Sequence, residues 1–205
     1  MDLIIENIGK KYRREWIFKN FNYQFSQNTV YGIKGYNGSG KSTLLKILSG
    51  QLIPSNGLIT IHNLGNKIEK DSHYRLYNFI APYIDLIEEL TIEEIIDFSK
   101  KTNLIPNHTN LNEFLTFANL KQTEGKIIKD YSSGMKQKLK LALGFISQRP
   151  ILLIDEPTTN LDSMAKKWFY DKLKIQKNKI ILIASNESED LNYCHELIQI
   201  EDYKN

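Results

Sequence analysis

The sequence holds a single cysteine, Cys194, in 205 residues. With no second thiol in the chain an internal disulfide is excluded, and a reducing compartment such as the cytosol is expected. Long apolar runs are missing as well. The longest, Ile151 to Ile154 and Ile180 to Ala184, fall far short of the ~18 residues a spanning helix needs, so no membrane crossing is expected. The opening MDLIIENI has neither a basic lead nor a long apolar stretch, so no secretory leader is expected from it. Charge of one sign is scarce: 27 lysines and arginines against 24 acids give a net +3, too little by itself to imply a nucleic-acid partner. Low-complexity tracts and repeats of ~20–50 residues are absent, which excludes solenoids and arrays. What remains is 41% apolar and 25% charged residues, the composition of one soluble globular domain.

Apolar spacing then sets the organisation. Leu3 to Ile8 reads as a strand, the alternating Phe21, Tyr23 and Phe25 as another, and Val30 to Ile33 as a third that runs into glycine-rich sequence. A helix is expected from about Ser42 to Ser49, stopped by Gly50. From Leu90 to about Ile128 the spacing is helical (Ile92, Ile95, Ile96, Phe98, then Phe114, Leu115, Phe117, Leu120), broken at Pro106 and Asn107–Asn110. A helix from about Ser133 to Ser147, the strand ILLID, a helix from about Ser163 to Ile175 and the strand IILIAS follow. Buried strands alternating with helices predict a mostly parallel sheet covered on both faces, with the helical middle inserted into it.

Three motifs carry chemistry. Residues 35–43, GYNGSGKST, match the pattern G-x-x-x-x-G-K-[ST]. The glycines Gly35, Gly38 and Gly40 let the backbone bend until successive N–H groups face an anion, and Asn37 and Ser39 lie between them as further candidate phosphate-binding residues. Lys41 adds a fixed positive charge toward the terminal phosphates, while Ser42, followed by Thr43, offers a hydroxyl to Mg²⁺. Residues 151–157, ILLIDEP, end a buried strand in Asp155, a natural magnesium-holding carboxylate, followed by Glu156, a candidate base for the attacking water. Between them YSSGMKQKL opens a helix with Ser132, Ser133 and Gly134, whose N-terminus is either plain capping or an anion site.

In this order, with TNLD (Thr159 to Asp162) after ILLIDEP, the motifs resemble the ATP-binding subunit of ABC transporters across nearly the whole chain. The resemblance implies an α/β fold with a P-loop NTPase core, a mostly parallel sheet, N-terminal antiparallel strands and an inserted helical subdomain. The core would be residues 1–82 and 147–205, the helical part 83–146. It implies a homodimer, or a dimer with a related subunit, that sandwiches two ATP molecules head to tail. Ser132 and Gly134 would contact the γ-phosphate on the opposite subunit, and Asp162 would lie where the two subunits communicate. Tyr12, in KKYRR, matches the aromatic that stacks on adenine, with Trp16 as the other candidate. It also implies a membrane permease in trans, ATP and Mg²⁺ as cofactors, no nucleic acid, and a cytoplasmic, membrane-peripheral location.

The sequence departs from the family pattern in three places, at four residues. Ser133 and Met135 replace the usual second glycine and glutamine of the signature. Pro82 stands where a glutamine usually approaches the metal and the attacking water; it has no side-chain hydrogen-bonding group and no N–H, so its neighbour Tyr83 is the nearest substitute. Asn186 follows IILIAS where a γ-phosphate-contacting histidine is usual; it can donate a hydrogen bond but cannot carry imidazole's charge. None of His62, His73, His108 and His195 sits at that position, and His195 is expected in a helix on the surface.

The reading that follows is an Mg²⁺-dependent ATPase that energises a permease, with YSSGMKQKL leaning toward exporter-type subunits. A nucleotide-operated dimerisation switch of low turnover is the alternative that Pro82 and Asn186 motivate. A soluble ABC-type protein acting on DNA or ribosomes would call for coiled coils or basic segments, which are lacking. A small-molecule phosphotransferase would leave YSSGM and TNLD unexplained. The segment from Pro82 to Glu94 is the expected permease-docking surface, with Tyr83 expected to act there and not on the nucleotide.

Overall fold

Strands β1 (Asp2–Tyr12) and β2 (Glu15–Ser26) pair antiparallel. The apolar positions of β1 are spaced unevenly, and a register shift between Ile5 and Ile8, with Asn7 in the left-handed region at φ 50°, turns both isoleucines inward. The computed structural model describes residues 1–123 and 125–204. In it β1 also pairs with β4 (Asn56–Asn63), which pairs with the two-residue β5 (Asn66–Lys67), giving an antiparallel sheet ordered β2-β1-β4-β5.

The second sheet is parallel. Its members are β3 (Thr29–Lys34), β6 (Tyr77–Ile80), β7 (Ile151–Asp155), β8 (Ile180–Ala184) and β9 (Glu196–Gln199), ordered β6-β7-β8-β3-β9. Helices α1 (Lys41–Leu48), α2 (Ile92–Lys101), α3 (Leu111–Ala118), α4 (Ser133–Ile146), α5 (Ser163–Lys174) and the one-turn α6 (Ser188–Leu191) complete the chain, beside short 3₁₀ turns. Side chains of β7 alternate between two cores. Ile151 and Leu153 join Leu44, Leu45 and Ile47 of α1 and the aromatics Phe21 and Phe25 of β2 on one face. Leu152 and Ile154 face Leu141 and Phe145 of α4 and Phe169 and Leu173 of α5 on the other. That double burial is why ILLID and IILIA are apolar without interruption.

The helical middle has its own core, in which Ile92, Ile95 and Ile96 of α2 meet Phe114 and Leu115 of α3. Helix α4 serves two cores at once: Leu139, Ala142 and Leu143 face α2 and α3, while Leu141 and Phe145 face the parallel sheet. A Cβ on Gly144 would stand 2.4 Å from Ile80 Cδ1, so a glycine lets α4 lie directly on β6. Each of α2–α5 begins on a side-chain cap, from Thr91, Asn110, Ser132 and Asp162 respectively.

The α/β architecture follows the expectation from sequence, including the break at Pro106 between α2 and α3. Strands β4, β5, β6 and β9 are additional to those expected from sequence; β5, β6 and β9 are short, and all four gain their strand character from the neighbours they pair with. His195 differs from its expectation. It is exposed but lies outside any helix, just before β9, where its Nδ1 accepts the Val30 N–H at 2.8 Å.

Candidate functional site

Strands β7, β8 and β3 are adjacent and parallel, with Asp155 paired to Ala184 and Ala184 to Ile33. Their carboxyl ends therefore deliver Asp155–Glu156, Ser185–Asn186 and the glycine-rich loop to one edge, the place where open α/β sheets bind ligands.

The loop is shaped by two different demands on glycine. Gly38 and Gly40 have φ of 79° and 113°, a region that L side chains avoid. Gly35 is limited by space, since a Cβ there would come within 2.5 Å of Ser39 Oγ. Helix α1 starts without a side-chain cap and without an acid in its first turn, leaving its N-terminal N–H groups turned to the loop. Lys41, only 5% exposed, folds its ammonium back: Nζ donates to Gly35 O at 2.9 Å and to Asn186 Oδ1 at 2.6 Å. The same amide donates through Nδ2 to Asn37 Oδ1, so Asn186 clasps the loop at two points.

Asp155 is 2% exposed. Its Oδ2 accepts the Tyr83 hydroxyl at 3.3 Å, and its Oδ1 has no hydrogen-bond partner. Burial pushes this carboxyl above its ordinary range, against the opposing pull of the Ser42 and Tyr83 hydroxyls and of Lys41 and Lys46. An orphaned buried carboxylate oxygen beside a serine hydroxyl is a hard oxygen donor set that suits Mg²⁺. Among the described residues no cluster of three or more His, Cys, Asp or Glu could hold a metal ion.

Glu156 sits at φ 47°, a strained left-handed conformation for a non-glycine, held by its N–H donating to Ala184 O at 2.8 Å. Its Oε2 has the Ser185 hydroxyl at 3.4 Å and the Asn186 N–H at 3.5 Å. Burial raises this carboxyl too.

Tyr83, the nearest substitute for the missing glutamine, points its hydroxyl at Asp155, with the Lys46 ammonium 4.2 Å from its ring centroid, so it stands at the site and not only on the expected docking segment. Pro82 is exposed and only passes the chain to it. Gln137 is a contributor that sequence reasoning missed: buried in α4, it donates to Pro157 O at 2.8 Å and ties that helix to the loop carrying Glu156.

The remaining sequence-chosen residues lie elsewhere. Ser132, Ser133, Gly134, Met135 and Lys138 line a separate cavity of about 300 Å³ with Asn160 and Asp162, and no residue of the glycine-rich loop borders it. Ser132 accepts the Met135 N–H at 3.2 Å and Asp162 accepts the Ala165 N–H at 2.8 Å, so both act as helix caps. A Cβ on Gly134 would reach 2.8 Å from Asn160 O, so the glycine is demanded by packing whatever else it binds. Tyr12 and Trp16 end the β1–β2 hairpin, both exposed, under the ammonium groups of Lys10 and Lys11.

Residues 18–159 match the family model described as ABC transporter. The chain belongs to the ABC transporter family. It is the nucleotide-binding domain, an ATPase domain, of such a transporter. Two relatives in Bacillus subtilis share that ABC character by name. The uncharacterized ABC transporter ATP-binding protein YybJ is 30% identical, with 90% of this chain and 85% of that protein covered. The uncharacterized ABC transporter ATP-binding protein YcbN is 33% identical over 91% of this chain, which spans 62% of that longer relative. Among solved structures, a putative ABC transporter ATP-binding protein from Pyrococcus furiosus has a TM-score of 0.83 at 24% identity, covering 100% of both chains. A dimeric bacterial ABC transporter cassette has a TM-score of 0.81 at 22% identity, covering 97% of this chain and 95% of that one. These likenesses bear on the ABC fold.

Proposed function

We propose that this chain binds and hydrolyses ATP as a subunit that energises a separate membrane permease, closing on a second copy of itself, or on a related subunit, with nucleotide between them. The observation that carries this reading is the division of the site. The phosphate cradle, Asp155 and Glu156 gather at one sheet edge, while Ser132, Gly134 and Asp162 line another cavity. Two such halves from different molecules make one complete site, and the name of the dimeric cassette with the same fold is in keeping with that arrangement. The core, residues 1–82 and 147–205, would hold the nucleotide, and the helical unit, residues 83–146, would present the second half.

The roles follow from the donors. Gly35, Asn37, Gly38, Ser39, Gly40 and Thr43 belong to the loop whose N–H groups wrap the phosphates, and Lys41 exchanges its present acceptors for phosphate oxygens. Ser42 and Asp155 hold the magnesium ion, which when bound neutralises charge on the transferring phosphate. Glu156 accepts a hydrogen bond from the attacking water and orients it. Asn186, already beside Lys41, donates its amide toward the terminal phosphate, and exposed Tyr12 offers a face for adenine. Among the described residues no helix is long and apolar enough to cross a membrane, which suits a subunit held peripherally on the cytoplasmic face by its permease. The small net charge of +3 supports no nucleic-acid role.

The decisive test pairs phosphate release with binding. Glu156→Gln is expected to lose turnover while holding nucleotide, and co-purification from membranes is expected to bring a multi-spanning protein. Equal turnover by wild type and Glu156→Gln removes Glu156 from its role. A second reading, a dimerisation switch of low turnover, is favoured by the neutral amide of Asn186 at the phosphate cradle. Slow wild-type turnover with nucleotide-induced dimers selects that reading; brisk turnover rejects it.

A further inference from the structure

Asp190, in α6, is wholly buried, and none of the roles above uses it. Among the described residues it takes part in no salt bridge. Three hydroxyls satisfy it instead: Tyr170 donates to Oδ1 at 2.9 Å, while Thr158 at 3.2 Å and Ser185 at 2.6 Å donate to Oδ2. All three donors are themselves buried. A carboxylate is costly to bury without a cation, so a place that keeps one there is worth explaining.

The Ser185 hydroxyl is the link to the site. It lies within reach of two carboxylates, Asp190 at 2.6 Å and Glu156 at 3.4 Å, and it also accepts the Glu187 N–H at 3.0 Å. A serine has one proton to give. The shorter contact has the length of a charge-assisted O–H···O⁻ bond, whereas the longer one is at the limit of bonding. The proton therefore belongs to Asp190, and Oε2 of Glu156 keeps only the long contact from the Asn186 N–H.

We propose that Asp190 is a positioning residue for hydrolysis: by drawing the Ser185 proton away from Glu156, it leaves Oε2 open to accept a hydrogen bond from the attacking water. Take Asp190 away and the Ser185 hydroxyl turns to the next carboxylate, Glu156, and occupies the acceptor that water needs. The role rests on the reading of Glu156 as the water-orienting group. It also has a consequence that a purely structural role lacks: deleting the serine hydroxyl cures the loss of Asp190.

The experiment measures Mg-ATP turnover, nucleotide binding and melting temperature for Asp190→Ala and Asp190→Asn, each alone and combined with Ser185→Ala, with Tyr170→Phe as a stability control. Asp190→Ala is expected to lower kcat roughly tenfold, the size of one misdirected hydrogen bond, with nucleotide Kd within about twofold of wild type. Adding Ser185→Ala is expected to bring kcat back to within about threefold. Tyr170→Phe removes a donor from the other oxygen and is expected to lower the melting temperature while kcat stays within about twofold. If Asp190→Ala does not fold, the isosteric Asp190→Asn reads the same way with a smaller drop. An unchanged kcat in the Asp190 variants, or a double variant slower than the single one, overturns the proposal. Glu156→Gln keeps the two ideas apart: full turnover there defeats the reading of Glu156, whereas lost turnover there beside normal Asp190 variants defeats the role of Asp190 alone.

Discussion

The Tyr83 hydroxyl donates to Oδ2 of Asp155 at 3.3 Å across 72 residues of sequence, so the loop leading into the helical middle is fastened to the carboxylate that ends β7. The bond leaves Oδ1 as the unpartnered oxygen and fixes the direction in which it points. Outer hydrogen bonds of this kind orient a metal-binding carboxylate, and losing one weakens metal affinity by ~10-fold or more. Tyr83→Phe is accordingly expected to raise the Mg²⁺ concentration at half-maximal nucleotide binding by about tenfold. A magnesium titration followed by nucleotide fluorescence reads this directly, and an unchanged midpoint would show that the phenol does not orient Asp155.

Asn186 supplies a neutral oxygen 2.6 Å from Lys41 Nζ. Asn186→Asp keeps the shape and makes that oxygen an anion, which pairs with the ammonium and repels phosphate. Nucleotide affinity is expected to fall at least about tenfold, the effect of a like charge at hydrogen-bond distance in a partly buried site. Titration calorimetry checks it; equal affinities would place Asn186 away from the bound phosphates.

Gly134 lies in the first turn of α4. An alanine in an exposed helix ordinarily adds up to ~1 kcal/mol over glycine. Here the new Cβ would stand 2.8 Å from Asn160 O, so the sign is expected to reverse. Gly134→Ala should melt lower than wild type by an amount equivalent to ~1 kcal/mol, since α4 and the loop before α5 must move apart. Monomer nucleotide affinity should not change, because Gly134 lies outside the phosphate cradle. Denaturant unfolding with a binding titration tests both halves.

A buried lysine and a half-buried cysteine give stability opposite slopes in mild alkali. Burial lowers Lys179 to about 8, although its ammonium donates to Ser147 O and Arg149 O. The unfolded lysine titrates near ~10.4, so between about 8 and 10 the unfolded chain holds more protons and this residue makes stability rise with pH. Burial pushes Cys194 up to about 12, against ~8.5 when unfolded, so above about 8.5 the folded chain holds more protons and stability falls. Melting curves at pH 7.5 and 9.5 are expected to separate them: relative to wild type, Lys179→Met loses stability on going to the higher pH, and Cys194→Ala gains it.

What the sequence made legible is what local pattern encodes. The glycine-rich loop needs residues within nine positions of one another, and its strand and helix flank it directly. The apolar runs of β7 and β8 announce burial on both faces, and Pro106 announces the break before α3. The rest depends on long-range contact. β6 is only the four residues YNFI, with nothing in its own spacing to separate it from a loop, and it becomes a strand by pairing with β7. Tyr83 reads in sequence as the nearest stand-in for an absent glutamine, but its tie to Asp155 exists only once β6 and β7 are neighbours. Asp190 reads as one acid among several in NESED, and the three hydroxyls around it arrive from β8's end, the β7–α5 loop and α5. The caps Ser132 and Asp162 were chosen for their place in motifs, and their local hydrogen bonds are those of ordinary helix starts.

In the proposed dimer the cradle of one molecule is completed by the Ser132–Gly134 edge of another. Light scattering on Glu156→Gln with saturating Mg-ATP measures this directly, with Ser132→Arg, which places a bulky cation at that edge, as its control. Doubling of the particle mass with nucleotide in Glu156→Gln, lost in the Ser132→Arg double variant while each chain still binds nucleotide, is the predicted result. Monomeric mass at saturating nucleotide, or a dimer indifferent to the Ser132 substitution, would contradict it.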